Sequence, residues 1–286
     1  MIRKKKPMRR VCAGVLALAL LLGGCGGAAE ADVASGVAFL EALEQQDPAE
    51  VDEVLRQRRI AELEARREEL LRQIKAGEES PFAAFQDAVI LGDSRAVGFF
   101  YYGFVDESRD LTGSGDTILS IRNKLDTLQT MQPSYIYLAY GLNDIKIGHW
   151  ASLDSHIADY MDFVGQIRQR VPGAVIVISS VLPFYDPTVP DPSAPAGSTP
   201  KPSSSTLTDA DRRRLSQIPQ WNELMKAACA ENGVIFVDNS AIGKELKNLY
   251  ESDGIHVMKP FYPHWGKNLA IAALEEGGVA GENSAA

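Results

Sequence analysis

Apolar residues gather in four short runs, each bounded by turn-forming residues: Ala88–Leu91, Ser134–Tyr140 (SYIYLAY), Ala174–Val181 (AVIVISSV) and Val234–Val237 (VIFV). Runs this short and this continuously apolar predict strands buried on both faces, as in a parallel sheet. Between them the spacing turns helical. Ile118, Ile121, Leu125 and Leu128 share one face of a helix opened by Asp110–Thr117, and Ile157, Met161, Val164 and Ile167 share another. Further helices are expected within Leu207–Glu231 and after Trp265. Strand and helix alternating in this way predict an α/β fold with helices on both faces of a parallel sheet.

Ahead of this alternation, Asp47-Pro48-Ala49-Glu50 reads as a helix start, with Asp as cap and Pro at the first helical position. From there to Lys75 the chain is rich in Glu, Arg, Leu and Ala. Its apolar stripe runs through Val51, Leu55, Ile60, Leu63, Leu70 and Ile74 and is broken by Arg67. The short, interrupted stripe favours a solvated stalk over residues 47–80; a coiled-coil dimerisation arm is the alternative, and the oligomeric state is not legible. The globular domain is expected over 81–276, followed by a Gly/Ala/Ser-rich tail, 277–286, with no reason to fold. One insert, 184–205, holds Pro187, Pro190, Pro192, Pro195, Pro200 and Pro202 among Ser, Thr and Asp, a composition that builds no core. It leaves the strand ending near Val181 and therefore starts at the carboxyl edge of the sheet. Phe184 and Tyr185 are bulky enough to wall a crevice there. A substrate-sorting flap and a passive surface loop both remain open.

Charge changes the picture at the amino end. Arg3, Lys4, Lys5, Lys6, Arg9 and Arg10 precede the apolar run Val11–Leu22, which is short for a bilayer span. Leu22-Gly23-Gly24-Cys25 resembles a bacterial lipobox. Residues 1–24 are thus expected to be a signal peptide, Cys25 the lipidated residue, 25–46 a tether and the protein extracytoplasmic, lipid-anchored to the bacterial membrane. The whole chain carries 29 basic and 38 acidic residues, and removing the signal removes bases only. So acidic a body argues against nucleic acid as a partner. Cys12 leaves with the signal and Cys25 carries lipid, so Cys229 has no partner for an intramolecular disulfide and is expected buried on a helix.

Four short blocks carry the candidate chemistry: Gly92-Asp93-Ser94 directly after the first strand, then Gly115, then Gly141-Leu142-Asn143-Asp144 after the second, then Asp253-Gly254-Ile255-His256. In this order the chain resembles the SGNH/GDSL hydrolase family from about Pro81 to about Leu274, including Trp221-Asn222 before the last strand. The resemblance implies a flavodoxin-like three-layer α/β/α sandwich and acyl-ester hydrolysis without metal or other cofactor. The chemistry agrees: an ester needs a nucleophile, a base and donors for the oxyanion. Ser94 is the nucleophile candidate, His256 the base and Asp253 its orienting partner. The backbone N–H groups of Ser94 and Gly115 and the Asn143 side-chain amide are the candidate oxyanion hole. The Gly-x-Ser-x-Gly elbow is absent, since Ala96 occupies its last position.

Arg95 has two readings, a ligand for a substrate carboxylate or a helix-surface Arg paired with a local Asp. His149, His156 and His264 are read as structural or exposed. After His256 the sequence VMKPFYPHWGKNLA departs from the shorter turn common in the family, which leaves that loop's shape open. The expected activity is that of a serine esterase acting on O-acyl, above all O-acetyl, esters of cell-surface glycans or other small esters. An acyltransferase with the same residues and a non-catalytic binding lipoprotein are the rivals. The four intact blocks count against the last.

Overall fold

A computed structural model describes residues 28–44, 47–185 and 207–278. The expected signal peptide, Cys25, the insert beyond Tyr185 and most of the tail lie outside the described residues. The chain divides into two compact units between Ile60 and Ala61. In the first, the stretch expected as a tether contains a helix, α1 (Ala28–Glu44). Its Ala, Glu and Leu residues are strong helix formers despite the small, polar look of the segment. Helix α2 (Pro48–Ala76) begins where the cap residues predict. The Asp47 side chain accepts a 3.0 Å hydrogen bond from the Ala49 N–H.

In the second unit the last turns of α2 are packed rather than solvated. Leu70, Leu71 and Ile74 lie on a hydrophobic core. Arg67, which breaks the apolar stripe, donates to the Leu274 carbonyl at 2.6 Å, and Lys75 pairs with Glu275. A polar residue on a buried stripe is thus explained by the helix-end carbonyl it satisfies.

Five parallel strands form the sheet: β1 (Ala88–Gly92), β2 (Asp110–Thr112), β3 (Tyr135–Ala139), β4 (Val175–Ser179) and β5 (Ile235–Val237), in the order β2-β1-β3-β4-β5. Four were expected. The fifth, β2, falls where a helix opening was read, and it is a short edge strand whose Asp110 carboxylate is turned back onto the Thr112 N–H and hydroxyl. Polar, three residues long and half-buried, it carries no apolar signal. Helix α3 (Val97–Tyr101) follows β1. Ile118–Asn123 is a 3-10 turn, and the α-helix proper, α4 (Leu125–Met131), starts after it. The four residues assigned to one face, Ile118, Ile121, Leu125 and Leu128, are nonetheless all buried. Then come α5 (Leu142–Ile147), α6 (Leu153–Arg170), α7 (Asp209–Leu215), α8 (Ile218–Glu231), α9 (Ser240–Glu245) and α10 (Tyr262–Glu276).

Successive strand residues face opposite layers. Val89, Leu91, Ile136, Leu138, Ile176 and Ile178 join the core formed with α4, α6 and α8. Ala88, Ile90, Tyr137 and Val177 join the core formed with α10, Phe85 and Phe99. Each large side chain so buried stabilises the fold by roughly 1.5–3 kcal/mol. Cys229 is a free, buried thiol on α8, as the sequence suggested. The chain leaves β1 toward β2 and returns on the other side of β1 as β3. This reversal opens a crevice at the carboxyl ends of β1 and β3, where Ser94 and Asn143 stand.

Candidate active site

Ser94 sits in the turn between β1 and α3, half-buried. The preceding Asp93 fixes that turn. Its N–H donates to the Ala139 carbonyl at 3.3 Å, extending the β1–β3 ladder, and its Oδ1 accepts from the Arg95 N–H at 3.0 Å. Burial pushes the Asp93 carboxyl up to about 6, against the opposing pull of Arg95.

The Asp253–His256 turn folds around a carboxylate. Oδ1 of Asp253 accepts from the backbone N–H groups of Ile255 at 2.8 Å and His256 at 3.0 Å, which leaves Oδ2 facing His256 Nδ1 at 2.6 Å. Burial tends to raise the Asp253 carboxyl. The hydrogen bonds from the His256 ring and from the two N–H groups outweigh it and hold the carboxyl below its ordinary value. A carboxylate on Nδ1 keeps the proton there, so Nε2 presents a lone pair. That nitrogen lies 2.9 Å from Ser94 Oγ. The structure therefore brings Ser94, His256 and Asp253 into one hydrogen-bonded line, in which the imidazole can take the serine proton. The His256 side chain is 43% exposed, so the line opens directly to solvent.

The three candidate oxyanion donors are held by different means. The backbone N–H groups of Ser94 and Gly115 donate to nothing among the described residues. Gly115 has φ +82° with open space where a Cβ would stand, so the left-handed backbone rather than crowding calls for glycine. At Gly141, φ is +130° and a Cβ would strike Val181; this sharp bend starts α5 and turns Asn143 inward. One N–H of the Asn143 amide donates to the Asp116 carbonyl at 3.0 Å, leaving the other for a ligand. Asp144 Oδ1 accepts from the Ile118 N–H at 2.9 Å. Two hydrogen bonds thus pin the Gly115 loop to the start of α5, and Lys124 ties the same loop through Asp116.

Behind these donors lies a group that the sequence reading set aside. His156 is 2% exposed, with Nε2 3.4 Å from Asp144 Oδ1. Its Nδ1 accepts from Trp221 Nε1 at 2.9 Å, and Trp150 stacks on the ring at 4.2 Å. The signal was present but faint: His156 adjoins Ile157 and precedes Tyr160 by four on the buried face of α6. Asn222 clamps the chain leaving β4, binding both the N–H and the carbonyl of Val181.

Two site assignments need correction. Arg95 faces neither substrate nor a surface Asp. It is 3% exposed, and its guanidinium donates to the Leu182 carbonyl at 2.6 Å and the Pro183 carbonyl at 3.2 Å. Tyr185 does not wall the crevice with its ring: the hydroxyl donates to the Gly243 carbonyl at 2.8 Å and the ring meets Tyr250 edge-on at 4.8 Å. Fork-shaped donors and phenol hydroxyls go where buried carbonyls need them, which sequence position does not disclose. Phe184 is half-buried on the core cluster that includes Ile255. The divergent stretch after His256 forms a 3-10 turn, Lys259–Phe261, and the start of α10. It brings the Tyr262 hydroxyl to the Arg95 carbonyl at 2.8 Å, under the nucleophile turn.

A parallel sheet with a serine at its switch point and an Asp–His loop closing on that serine defines an SGNH-type ester hydrolase. The model of the GDSL-like Lipase/Acylhydrolase family matches residues 90–259, and the chain belongs to that family. No curated protein matches the sequence. Among solved structures, a GDSL-like lipase from Bacteroides thetaiotaomicron is 15% identical with a TM-score of 0.45, over 66% of this chain and 88% of that one. A catalytic mutant of an acetylxylan esterase from Geobacillus stearothermophilus is 17% identical with a TM-score of 0.42, over 67% and 94%. A carbohydrate esterase family 3 protein from Talaromyces cellulolyticus is 16% identical with a TM-score of 0.38, over 66% and 94%.

Proposed function

We propose that this family member is an extracytoplasmic, lipid-anchored serine esterase that removes O-acyl groups, above all O-acetyl groups, from cell-surface glycans. The observation that carries the catalytic part is the line from Ser94 Oγ through the His256 ring to Asp253, at 2.9 and 2.6 Å. His256 Nε2 takes the Ser94 proton as Oγ attacks the ester carbonyl. The oxyanion of the tetrahedral intermediate is received by the N–H groups of Ser94 and Gly115 and the free N–H of Asn143. The imidazolium, steadied by Asp253, returns the proton to the leaving sugar oxygen and leaves an acyl-enzyme. Water then attacks by the reverse sequence and releases the acid.

Substrate class and location draw on other features. The lipobox-like LGGC at residues 22–25 supports an envelope location, the acidic body disfavours polyanions, and the half-exposed His256 leaves room for a bulky alcohol. The test offers the purified protein aryl acetate, aryl butyrate and an acetylated polysaccharide, with and without Ser94→Ala. Acetate released from the polysaccharide by wild type alone supports the reading. Turnover in the Ser94→Ala variant overturns the catalytic assignment. Acetyl groups recovered on an acceptor sugar instead of in water replace hydrolysis by transfer.

A further inference from the structure

The segment leaving β4 is pinned at nearly every residue. Asn222 holds Val181, the Arg95 guanidinium holds the carbonyls of Leu182 and Pro183, and the Tyr185 N–H donates to the Gly254 carbonyl at 3.0 Å. Two of these anchors matter together. Arg95 directly follows Ser94. Gly254 lies inside the Asp253–His256 turn. Residues 182–185 therefore form a short strap with one end on the nucleophile turn and the other on the base turn, two pieces of chain that lie 162 positions apart at Ser94 and His256.

We propose that this strap sets the spacing of Ser94 and His256, and that Arg95 is the positioning residue that fixes its near end. The proposal rests on the Ser94–His256 esterase reading. A guanidinium is an expensive group to bury, and a neutral side chain would fill the space under the turn at lower cost. Only a planar fork reaches two consecutive carbonyls at once. The buried Leu182 carbonyl would otherwise be orphaned, since the strap belongs to no ladder. The nucleophile turn is held from below as well, by the Tyr262 hydroxyl on the Arg95 carbonyl. The base turn carries its own internal bonds from Asp253. What those bonds do not fix is the position of the base turn relative to Ser94, and the strap supplies that link.

Arg95→Met keeps the length of the side chain and removes its donors. The expected result is a kcat on aryl acetate lower by about 10- to 100-fold, the scale of a displacement near 1 Å between reacting groups, with KM within about twofold of wild type. Phosphonylation of Ser94 should slow by the same factor. The low-field proton resonance of the His256–Asp253 bond should persist, because that bond is internal to one turn; a general loss of packing would remove it. Arg95→Lys, which can reach one carbonyl, should recover part of the rate. Tyr185→Ala keeps the N–H on Gly254 but removes the side-chain hold on Gly243 and Tyr250 that steadies the far end, so it should lower kcat too, and the Arg95→Met/Tyr185→Ala pair should cost less than the two effects added, as for residues acting through one element.

Wild-type kcat and phosphonylation in folded Arg95→Met, with Ser94→Ala inactive, overturn the strap and leave the esterase reading intact. Turnover in Ser94→Ala overturns the esterase reading itself. If Arg95→Met does not fold, Arg95→Lys and Tyr185→Ala decide, and full activity in both overturns the proposal.

Discussion

Two Asp–His pairs stand among the described residues, and they are wired in opposite senses. In Asp253–His256 the carboxylate meets Nδ1 at 2.6 Å and Nε2 is turned to a serine hydroxyl, with the ring 43% exposed. In Asp144–His156 the carboxylate lies at Nε2, while Nδ1 is already taken as acceptor by Trp221, and both residues are buried. The first ring keeps a lone pair for chemistry. The second has used its acceptor on Trp221, and its Nε2 lies 3.4 Å from Asp144 without a hydrogen bond among the described residues, while Asp144 holds the Gly115 loop through Ile118. An Asp near a His is therefore no sign of a base. What distinguishes the two is the nitrogen the carboxylate occupies and what the other nitrogen faces.

The largest effect that would break this contrast is on turnover. Ser94→Ala and His256→Ala should each lower kcat/KM by roughly 10⁴-fold or more with the fold retained, checked by ester hydrolysis and circular dichroism. Asp253→Ala should cost less, since water replaces part of an orienting role. Asn143→Ala should lower kcat by about 10²–10³-fold, the usual effect of losing one oxyanion donor, with KM nearly unchanged. His156→Phe should reverse the pattern. It orphans the Trp221 N–H and strips Asp144 of a buried neighbour, so urea unfolding should show a loss of about 2–4 kcal/mol. Turnover per folded molecule should fall less than about tenfold.

The smallest effect concerns Asp93. Its carboxyl is raised to about 6 from an ordinary 3.8, mainly by burial. The folded state therefore holds that proton more tightly than the unfolded state does, and this group costs the fold stability as pH rises from about 4 to about 6. A difference of that size corresponds to about 3 kcal/mol at most. Asp93→Asn keeps the acceptor for the Arg95 N–H and removes the charge. Its stability relative to wild type should climb across that pH window and level off above it, the pull of Arg95 being already contained in the raised value. Unfolding curves at a series of pH values check this.

The sheet was legible wherever burial on two faces made a strand continuously apolar, as at Ala88–Leu91 and Ala174–Val181. It was illegible at β2, where an edge strand of three residues closes its own polar contacts. The four motif blocks were legible because reactive groups sit in turns, where Gly, Asp and Ser have few substitutes. The supporting layer was not. Arg95, His156 and Tyr185 act through backbone carbonyls and ring nitrogens of segments distant in sequence, and nothing local marks such a partner. Arg67 shows the same limit on a helix: its break in the stripe looked like solvent exposure and is a bond to the last turn of α10.

The most direct test of the line from Ser94 to Asp253 is to trap its intermediate. The protein is mixed with an aryl acetate, quenched in acid within the first turnovers, digested and read by mass spectrometry. An acetyl group on the peptide carrying Ser94, forming rapidly in wild type but far more slowly in His256→Ala, is the expected result. Acetylation confined to another residue, or forming on Ser94 at the same rate without His256, would contradict it.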